Sequence, residues 1–161
     1  MTMLIGADIT ATYDSTQLAL QGPASVGDHY EAAGGKIYKF VKFNNGAGNV
    51  AAVVGNVCYY YAVSGASAGQ TTEVTMDLTD SGGIGAGVFQ SVPADGEYCW
   101  IQIKGPATIT TALTAGADGN ALTAVGAGAD GTLDVSAAVT DAVVAYAIDA
   151  TAQLIFCDFP F

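Results

Sequence analysis

The side chains best suited to catalysis are few in this sequence and lie apart from one another. His29 is the only histidine, and it sits in a Gly- and Pro-rich segment beside Asp28 and Glu31. A nucleophilic triad or a zinc site needs further partners, and no serine lies in a Gly-x-Ser-x-Gly turn. The run from Gly83 to Gly87 lacks the spacing of a dinucleotide loop and the Lys-Ser/Thr of a phosphate loop. We therefore predict no catalytic residue, no cofactor and no metal, with His29 in a solvated loop.

Carboxylates in Asp-Gly turns suggest a second kind of chemistry, the binding of calcium. Asp118-Gly119-Asn120 and Asp130-Gly131 supply oxygen atoms next to flexible backbone. The twelve-residue calcium loop with its acidic final ligand is absent, however, and so is a repeated nonapeptide. Because Asp-Gly is also a favoured hairpin turn, we interpret both segments as turns.

Aromatic side chains are the remaining candidates for binding. Tyr98 and Trp100 alternate along one segment, and Tyr59–Tyr61 form a triplet. Such rings can stack on a sugar or anchor a protein interface, where Trp and Tyr are enriched. We favour anchoring in the core or at an interface. The candidate interface residues are Lys36, Tyr38, Phe40, Lys42, Tyr98, Trp100, Lys104, Phe156, Phe159 and Phe161.

The charge balance argues against nucleic acid as a partner. The chain has 15 acidic residues against four lysines and no arginine, a net charge of −11. Only 12% of its residues are charged, compared with about 25% in ordinary soluble domains. A nucleic-acid-binding surface needs clustered basic residues that displace counterions from phosphates. The abundant Ala (29) and Gly (21) suit short strands and tight turns better than long helices.

Cysteine usage and the apolar segments bear on the cellular compartment. Cys58, Cys99 and Cys157 are odd in number and form no closely spaced pair. This pattern predicts buried, reduced thiols in a protein made in a reducing cytoplasm. The N-terminus lacks the basic and apolar regions of a signal peptide. The uncharged stretch Val50–Ala68 contains Gly, Asn and three Tyr, which favours a pair of buried strands over a membrane span.

The elements that must position these residues are strands, because the clearest periodicity in the chain is two. Apolar and amphipathic residues alternate along Glu97–Thr110, which predicts a half-buried strand. Gly105-Pro106 predicts a tight corner there, with a second strand beginning at Ala107. Lys36–Phe43 predicts another strand, and its two mixed faces favour a position at a sheet edge or an interface.

Together the segments predict an all-β fold, a single-domain β-sandwich or barrel of short antiparallel strands over residues 1–161. Residues 1–21 form a possible N-terminal arm, and the aromatic tail 154–161 must dock on its own domain or on a neighbour. Loops are predicted at Gly22–Gly35 and Asp80–Gly87. The further predicted strands are Val50–Val54, Val57–Val63, Thr71–Leu78, Val88–Val92, Ala107–Leu113 and residues 143–148, the last with a helix over Ala137–Ile148 as its alternative.

Three segments, in this order, resemble the small decoration (cement) proteins of tailed-bacteriophage capsids. They are Gly35–Phe43, Val50–Tyr61 and Ala94–Ala107, in which Gly-Glu-Tyr-Cys-Trp-Ile-Gln runs into Lys-Gly-Pro-Ala. An Ala-Leu-Thr element follows at Ala121–Thr123. The resemblance extends from Gly34 to Asp134.

The resemblance implies a non-enzymatic virion protein on the capsid exterior that binds the major capsid protein and bridges neighbouring capsomers, often as a trimer. The acidic composition agrees with an external position, because packaged DNA would repel it. The alternative is a carbohydrate-binding module of a phage tail or surface, which would use Tyr98, Trp100 and Tyr59–Tyr61. A self-assembling shell or fibre subunit is a further structural alternative, and an enzyme is the weakest.

Overall fold

Short strands are the main regular elements of the structure, a computed structural model that describes residues 6–22, 24–61 and 72–160. No helix in these ranges is both long and apolar enough to cross a membrane. The elements are β1 (Thr12–Tyr13), α1 (Ser15–Gln21), β2 (His29–Ala32), β3 (Lys36–Phe43), β4 (Val57–Tyr61), β5 (Glu73–Thr75), a 3₁₀ turn (Leu78–Asp80), β6 (Ser81–Phe89), β7 (Tyr98–Thr108), β8 (Ala121–Thr123), β9 (Asp134–Val135), β10 (Val143–Asp149) and β11 (Leu154–Asp158).

Five of the strands close into a barrel in the order β3–β5–β4–β6–β7, and β7 pairs with β3 to complete the circle. The β3–β5 pairing is parallel and the other four are antiparallel. Closure satisfies backbone groups that an open sheet would leave at its edges. The predicted all-β fold is confirmed, as a barrel with additional strands.

A second sheet extends from the barrel because β7 is longer than its barrel partners. The Tyr98–Lys104 part of β7 pairs with β3, whereas Lys104–Thr108 pairs with β11. The sheet continues from β11 through β10 and β8 to β9. The strand predicted at residues 143–148 is confirmed as β10, so the alternative helix is wrong.

The Gly105-Pro106 dipeptide does not interrupt β7, so the predicted tight corner is wrong. Gly105 has a φ of +88°, and a Cβ there would lie 2.9 Å from the carbonyl oxygen of Gly35. Only glycine meets both conditions without strain. The buried Gln102 side chain donates from Nε2 to the carbonyl oxygens of Lys104 and Pro106, both at 3.0 Å. The carbonyl before Gly105 and the carbonyl after it therefore both have a hydrogen-bond donor, and the strand continues through Gly105.

The glycine-rich run predicted to be a loop, Asp80–Gly87, lies mostly in β6. Close packing explains its glycines. A Cβ at Gly85 would lie 2.9 Å from the Phe159 ring, and one at Gly87 would lie 2.8 Å from the carbonyl oxygen of Gln102. Glycine alone weakens a strand, so this strand depends on the neighbours that occupy the space of its missing side chains.

Turn hydrogen bonds replace two other predicted segments of strand. Val50–Val54 is not a strand. Thr71 lies outside the described residues, and in the rest of the predicted strand Thr71–Leu78 only β5 is extended, because a 3₁₀ turn begins at Leu78. Asp77 is buried and accepts from the backbone N–H groups of Gly48 at 2.9 Å and Thr79 at 3.0 Å. Hydrogen bonds from Thr79 and Gly48 lower the pKa of this carboxyl. The Asp77 carboxylate thus competes with β-sheet pairing for backbone N–H donors.

The predicted loop Gly22–Gly35 contains β2, which forms a hairpin with β3. His29 is therefore half-buried on a strand and not in a solvated loop, and it lies opposite Lys39 in the register. The strand predicted at Val57–Val63 is confirmed as β4 as far as Tyr61, beyond which the described residues stop.

Strand β3 is buried on both of its faces, which is why its sequence has no purely polar side. Ile37, Val41 and Phe43 pack with the main core inside the barrel, whereas Tyr38 and Phe40 belong to a second cluster outside it. The strand also pairs along both edges, with β7 on one side and with β2 and β5 on the other. Its predicted position at a sheet edge is therefore wrong.

Both terminal segments pack on the sheet. Helix α1 begins with a capping box, in which Asp14 accepts from the Gln17 N–H at 2.7 Å and the Gln17 side chain accepts from the Asp14 N–H at 2.9 Å. Strand β1 pairs with Tyr98 and Cys99. At the other end, β11 inserts between β7 and β10, and Phe159 enters the main core. The predicted aromatic tail thus docks within its own chain as far as Pro160.

Candidate functional site

The ten predicted interface residues do not form one surface. Tyr38, Phe40, Trp100 and Phe159 are buried, Trp100 being only 1% exposed. Lys36, Lys42, Tyr98 and Lys104 are half-buried, Phe156 is exposed, and Phe161 lies outside the described residues. The four buried side chains are core residues in this conformation, which corrects their placement at an interface.

Three of the four belong to an aromatic cluster on the outside of the barrel. The rings of Phe40 and Trp100 have centroids 5.0 Å apart, and Tyr98 stacks on Phe40 at 6.1 Å. Ile9 and Leu18 of the N-terminal segment pack against the cluster and cover it. The alternation of aromatic residues is visible in the sequence, but the packing of the N-terminal segment over them is not. A buried aromatic cluster therefore has the same sequence pattern as an exposed binding surface.

The lysines do not form a basic surface. Lys42 Nζ lies 3.6 Å from the Glu73 carboxylate, and Lys104 Nζ lies 2.9 Å from that of Asp158. Lys39 is 2% exposed. Each of these three ammonium groups is therefore paired or withdrawn from solvent.

The burial of Lys39 and its hydrogen bond were not predicted from the sequence. Its Nζ donates to Tyr60 Oη at 3.1 Å, and Tyr60 Oη donates to the carbonyl oxygen of Pro160 at 2.9 Å. Burial lowers the pKa of Lys39 and raises the pKa of Tyr60. Burial also lowers the pKa of His29, with a smaller effect from the Lys39 charge. This polar chain fastens the segment after β11 to the barrel.

Exposed apolar side chains lie on the outside of the second sheet. Tyr146 on β10 is directly opposite Phe156 on β11, which is directly opposite Pro106 on β7. Residues paired in this way project to the same side of a sheet, so the three form one row. Tyr146 and Phe156 are each 46% exposed, and Ile148 is 45% exposed. We call Pro106, Tyr146, Ile148, Leu154 and Phe156 the outer face.

The opposite side of the same strands is fully buried. Ala147, Ile155 and Cys157 alternate with the outer-face residues and pack in the main core. An apolar sheet with one side in the core and the other exposed is a candidate surface for another macromolecule, since apolar patches of this kind mark interaction sites. Of the predicted interface residues, Phe156 belongs to the outer face and Lys104 lies beside it, opposite Asp158 in the register.

The sequence carried a signal for the outer face that is easy to misread. Residues 143–148 and 154–157 are apolar at nearly every position, a pattern typical of strands buried on both sides. The structure reveals that, within residues 6–22, 24–61 and 72–160, no other element covers Tyr146 and Phe156.

The Asp-Gly turns considered for calcium bind backbone groups. Asp118 accepts from the Ala150 N–H at 2.9 Å, and Asp130 accepts from the Leu78 N–H at 2.8 Å. Among residues 6–22, 24–61 and 72–160, no group of three or more His, Cys, Asp or Glu side chains is arranged to hold a metal ion.

The three cysteines are free and buried, as predicted. Burial raises the pKa of Cys157 to about 12 and also raises the pKa values of Cys58 and Cys99. A nucleophilic thiol needs a lowered pKa and access to solvent, so the environment of these three favours packing over reactivity.

Comparison with protein-family models, with curated proteins and with solved structures gives no match in any of the three.

Proposed function

We propose that this chain is a non-enzymatic virion structural protein that binds the exterior of a tailed-phage capsid and bridges neighbouring capsomers. The observation that carries the proposal is the outer face, an exposed apolar surface on a chain with a net charge of −11. Its partner in this proposal is the major capsid protein, and its location is the outside of the virion.

The physical reason is that covering the exposed apolar row with a partner removes apolar surface from water, which stabilises the complex. Burying apolar surface contributes about 25 cal/mol for each Å² removed from water. The outer face is built on paired strands and is therefore rigid before binding, which lowers the entropic cost of association. A protein that binds only the assembled shell stabilises that shell by mass action.

Five of the groups with displaced pKa values support a structural role. Lys39, Tyr60 and the three thiols lie in the core, where they hold strands together. A catalytic group must reach a substrate in a productive geometry, and such groups usually lie in a cleft. Core positions favour packing over catalysis for all five.

The alternative of a carbohydrate-binding module has less support. It would use Tyr98, Trp100 and Tyr59–Tyr61. Trp100, Tyr59 and Tyr60 are buried, so a sugar cannot stack on their rings, and Tyr98 and Tyr61 are half-buried. Tyr146 and Phe156 remain available for stacking, and a glycan array therefore tests this alternative directly.

The test is co-sedimentation of the purified protein with undecorated shells of the phage that encodes it, with its mass in solution measured by light scattering. We expect saturable binding at fixed stoichiometry, a higher melting temperature of the shell, and a homo-oligomer, with a trimer favoured. The double substitution Tyr146→Ser/Phe156→Ser is expected to weaken shell binding at least about tenfold, because central aromatic residues dominate interface energetics.

The matched control is Val53→Ser/Val54→Ser, which removes two exposed apolar side chains from the segment before β4. This control is expected to bind like the unchanged protein, and both variants to remain folded by circular dichroism. Failure of the unchanged protein to bind these shells contradicts the proposed function. Glycan binding in its place would establish the carbohydrate module.

A further inference from the structure

Acidic side chains lie at both ends of the outer face. Asp149 is opposite Leu154 in the register and so shares the side of the sheet that carries Tyr146 and Phe156. Asp118 adjoins this end, since its Oδ1 accepts from the Ala150 N–H at 2.9 Å. At the other end Asp158 is exposed. The apolar row is therefore framed by carboxylates.

The two ends differ in charge. Asp158 is paired with Lys104 at 2.9 Å, which neutralises that end. The Asp118 and Asp149 carboxylates accept only backbone N–H donors among their described hydrogen bonds, and neither has a lysine in a described ion pair. The uncompensated negative charge thus lies at the Asp118–Asp149 end.

A second copy of this chain does not supply the complementary charge. Of its four lysines, Lys42 and Lys104 are in ion pairs and Lys39 is buried, which leaves Lys36. Two outer faces brought together would also place like charges at short distance, which is unfavourable. The charge distribution favours a different protein as the occupant.

We propose that the outer face binds an apolar patch of the capsid protein that is framed by Lys or Arg side chains, with Asp118 and Asp149 as the charge-pairing residues. This inference rests on the proposed function and specifies the chemistry of the partner. Tyr146 and Phe156 supply the buried contact, and the two carboxylates set the orientation and speed the encounter. Charge pairs at an interface rim act mainly on the association rate and on salt dependence.

The test uses Asp118→Asn/Asp149→Asn, because asparagine keeps the Oδ1 acceptor for the Ala150 and Ala152 N–H groups while removing the charge. Binding to undecorated shells is measured at about 50 mM and about 300 mM salt. We expect the association rate at low salt to fall about 3–10-fold and the salt dependence to flatten.

The matched control is Glu31→Gln/Asp95→Asn, which also removes two negative charges, one from β2 and one from the turn before β7. It is expected to retain the rate and salt dependence of the unchanged protein to within about twofold, since neither residue lies on β10, β11 or the turn of Asp118 and salt screens exposed charges. If the test variant behaves like this control while the unchanged protein binds, the partner chemistry is refuted and the proposed function stands. If the unchanged protein does not bind, both fail.

Discussion

At the scale of single residues, the hydroxyl of Tyr59 joins two distant parts of the chain. It donates to the carbonyl oxygen of Thr132 at 2.6 Å and accepts from the N–H of the same residue at 3.0 Å. The pKa of Tyr59 is raised by burial, so the hydroxyl keeps its proton and its donor. The loop before β9 is thereby fixed to β4 of the barrel.

Tyr59→Phe is expected to lower the free energy of unfolding by about 2–3 kcal/mol, because it leaves a buried N–H and a buried carbonyl without this partner. Chemical denaturation at neutral pH measures the change. Tyr146→Phe removes a hydroxyl from an exposed ring and is expected to cost under about 0.5 kcal/mol. Equal effects of the two substitutions would show that the Thr132 hydrogen bonds contribute little.

At the scale of elements, β7 belongs to both the barrel and the second sheet, and Gly105 lies next to Lys104, where the two parts of the strand meet. Two separate conditions apply there, a positive φ and the approach of the Gly35 carbonyl oxygen. Gly96 offers a comparison, because its φ is +79° but no atom lies within 4 Å of a Cβ placed there.

Gly105→Ala is expected to destabilise the fold by about 2–4 kcal/mol, of which the positive φ accounts for about 1–2 kcal/mol. Gly96→Ala has the same backbone strain without the close approach, and it is expected to cost only that smaller amount. Denaturation of both variants separates the two contributions. Equal losses would indicate that β7 shifts away from Gly35 at no cost.

Some of these elements were predictable from sequence, and the exceptions have physical causes. Lys36–Phe43 and residues 143–148 were identified because alternation and apolar β-branched or aromatic composition are local properties. Gly85 and Gly87 misled the prediction because their requirement is the proximity of Phe159 and Gln102, which are distant in sequence. Local patterns do not encode such contacts.

The candidate site was less predictable for a related reason. Phe156 and Trp100 have similar surroundings in sequence, yet one is 46% exposed and the other 1%. The difference arises because the N-terminal segment covers Trp100 and no described element covers Phe156. Which face of a strand is covered depends on the path of the whole chain.

At the scale of the whole molecule, the buried thiols make the stability vary with pH in the alkaline range. The pKa values of Cys58, Cys99 and Cys157 are raised in the folded state, so the unfolded chain loses these protons first as the pH rises. The folded state then binds more protons than the unfolded state, and the free energy of unfolding falls. Lys39, whose pKa is lowered by burial, acts in the opposite direction below its unfolded pKa.

We expect the three thiols to lower the free energy of unfolding by about 3 kcal/mol between pH 8.5 and pH 9.5, roughly 1 kcal/mol each, and Lys39 to offset part of this fall. Denaturation at a series of pH values under reducing conditions measures this slope. Cys99→Ala lowers the stability at every pH by its packing cost, but it is expected to reduce the slope by about a third. A stability that stays constant over this range would contradict the coupling.

The position of β11 has a consequence for how the protein is made. Among the described strands, β10 reaches β7 only through β11, although β11 follows the other ten in sequence. During synthesis from the N-terminus, the five barrel strands leave the ribosome first. Strands β8, β9 and β10 can pair with the rest of the sheet only after residues 154–158 have been synthesised. The outer face is therefore completed last, and an unfinished chain displays no surface on which Tyr146, Phe156 and Pro106 stand in one row.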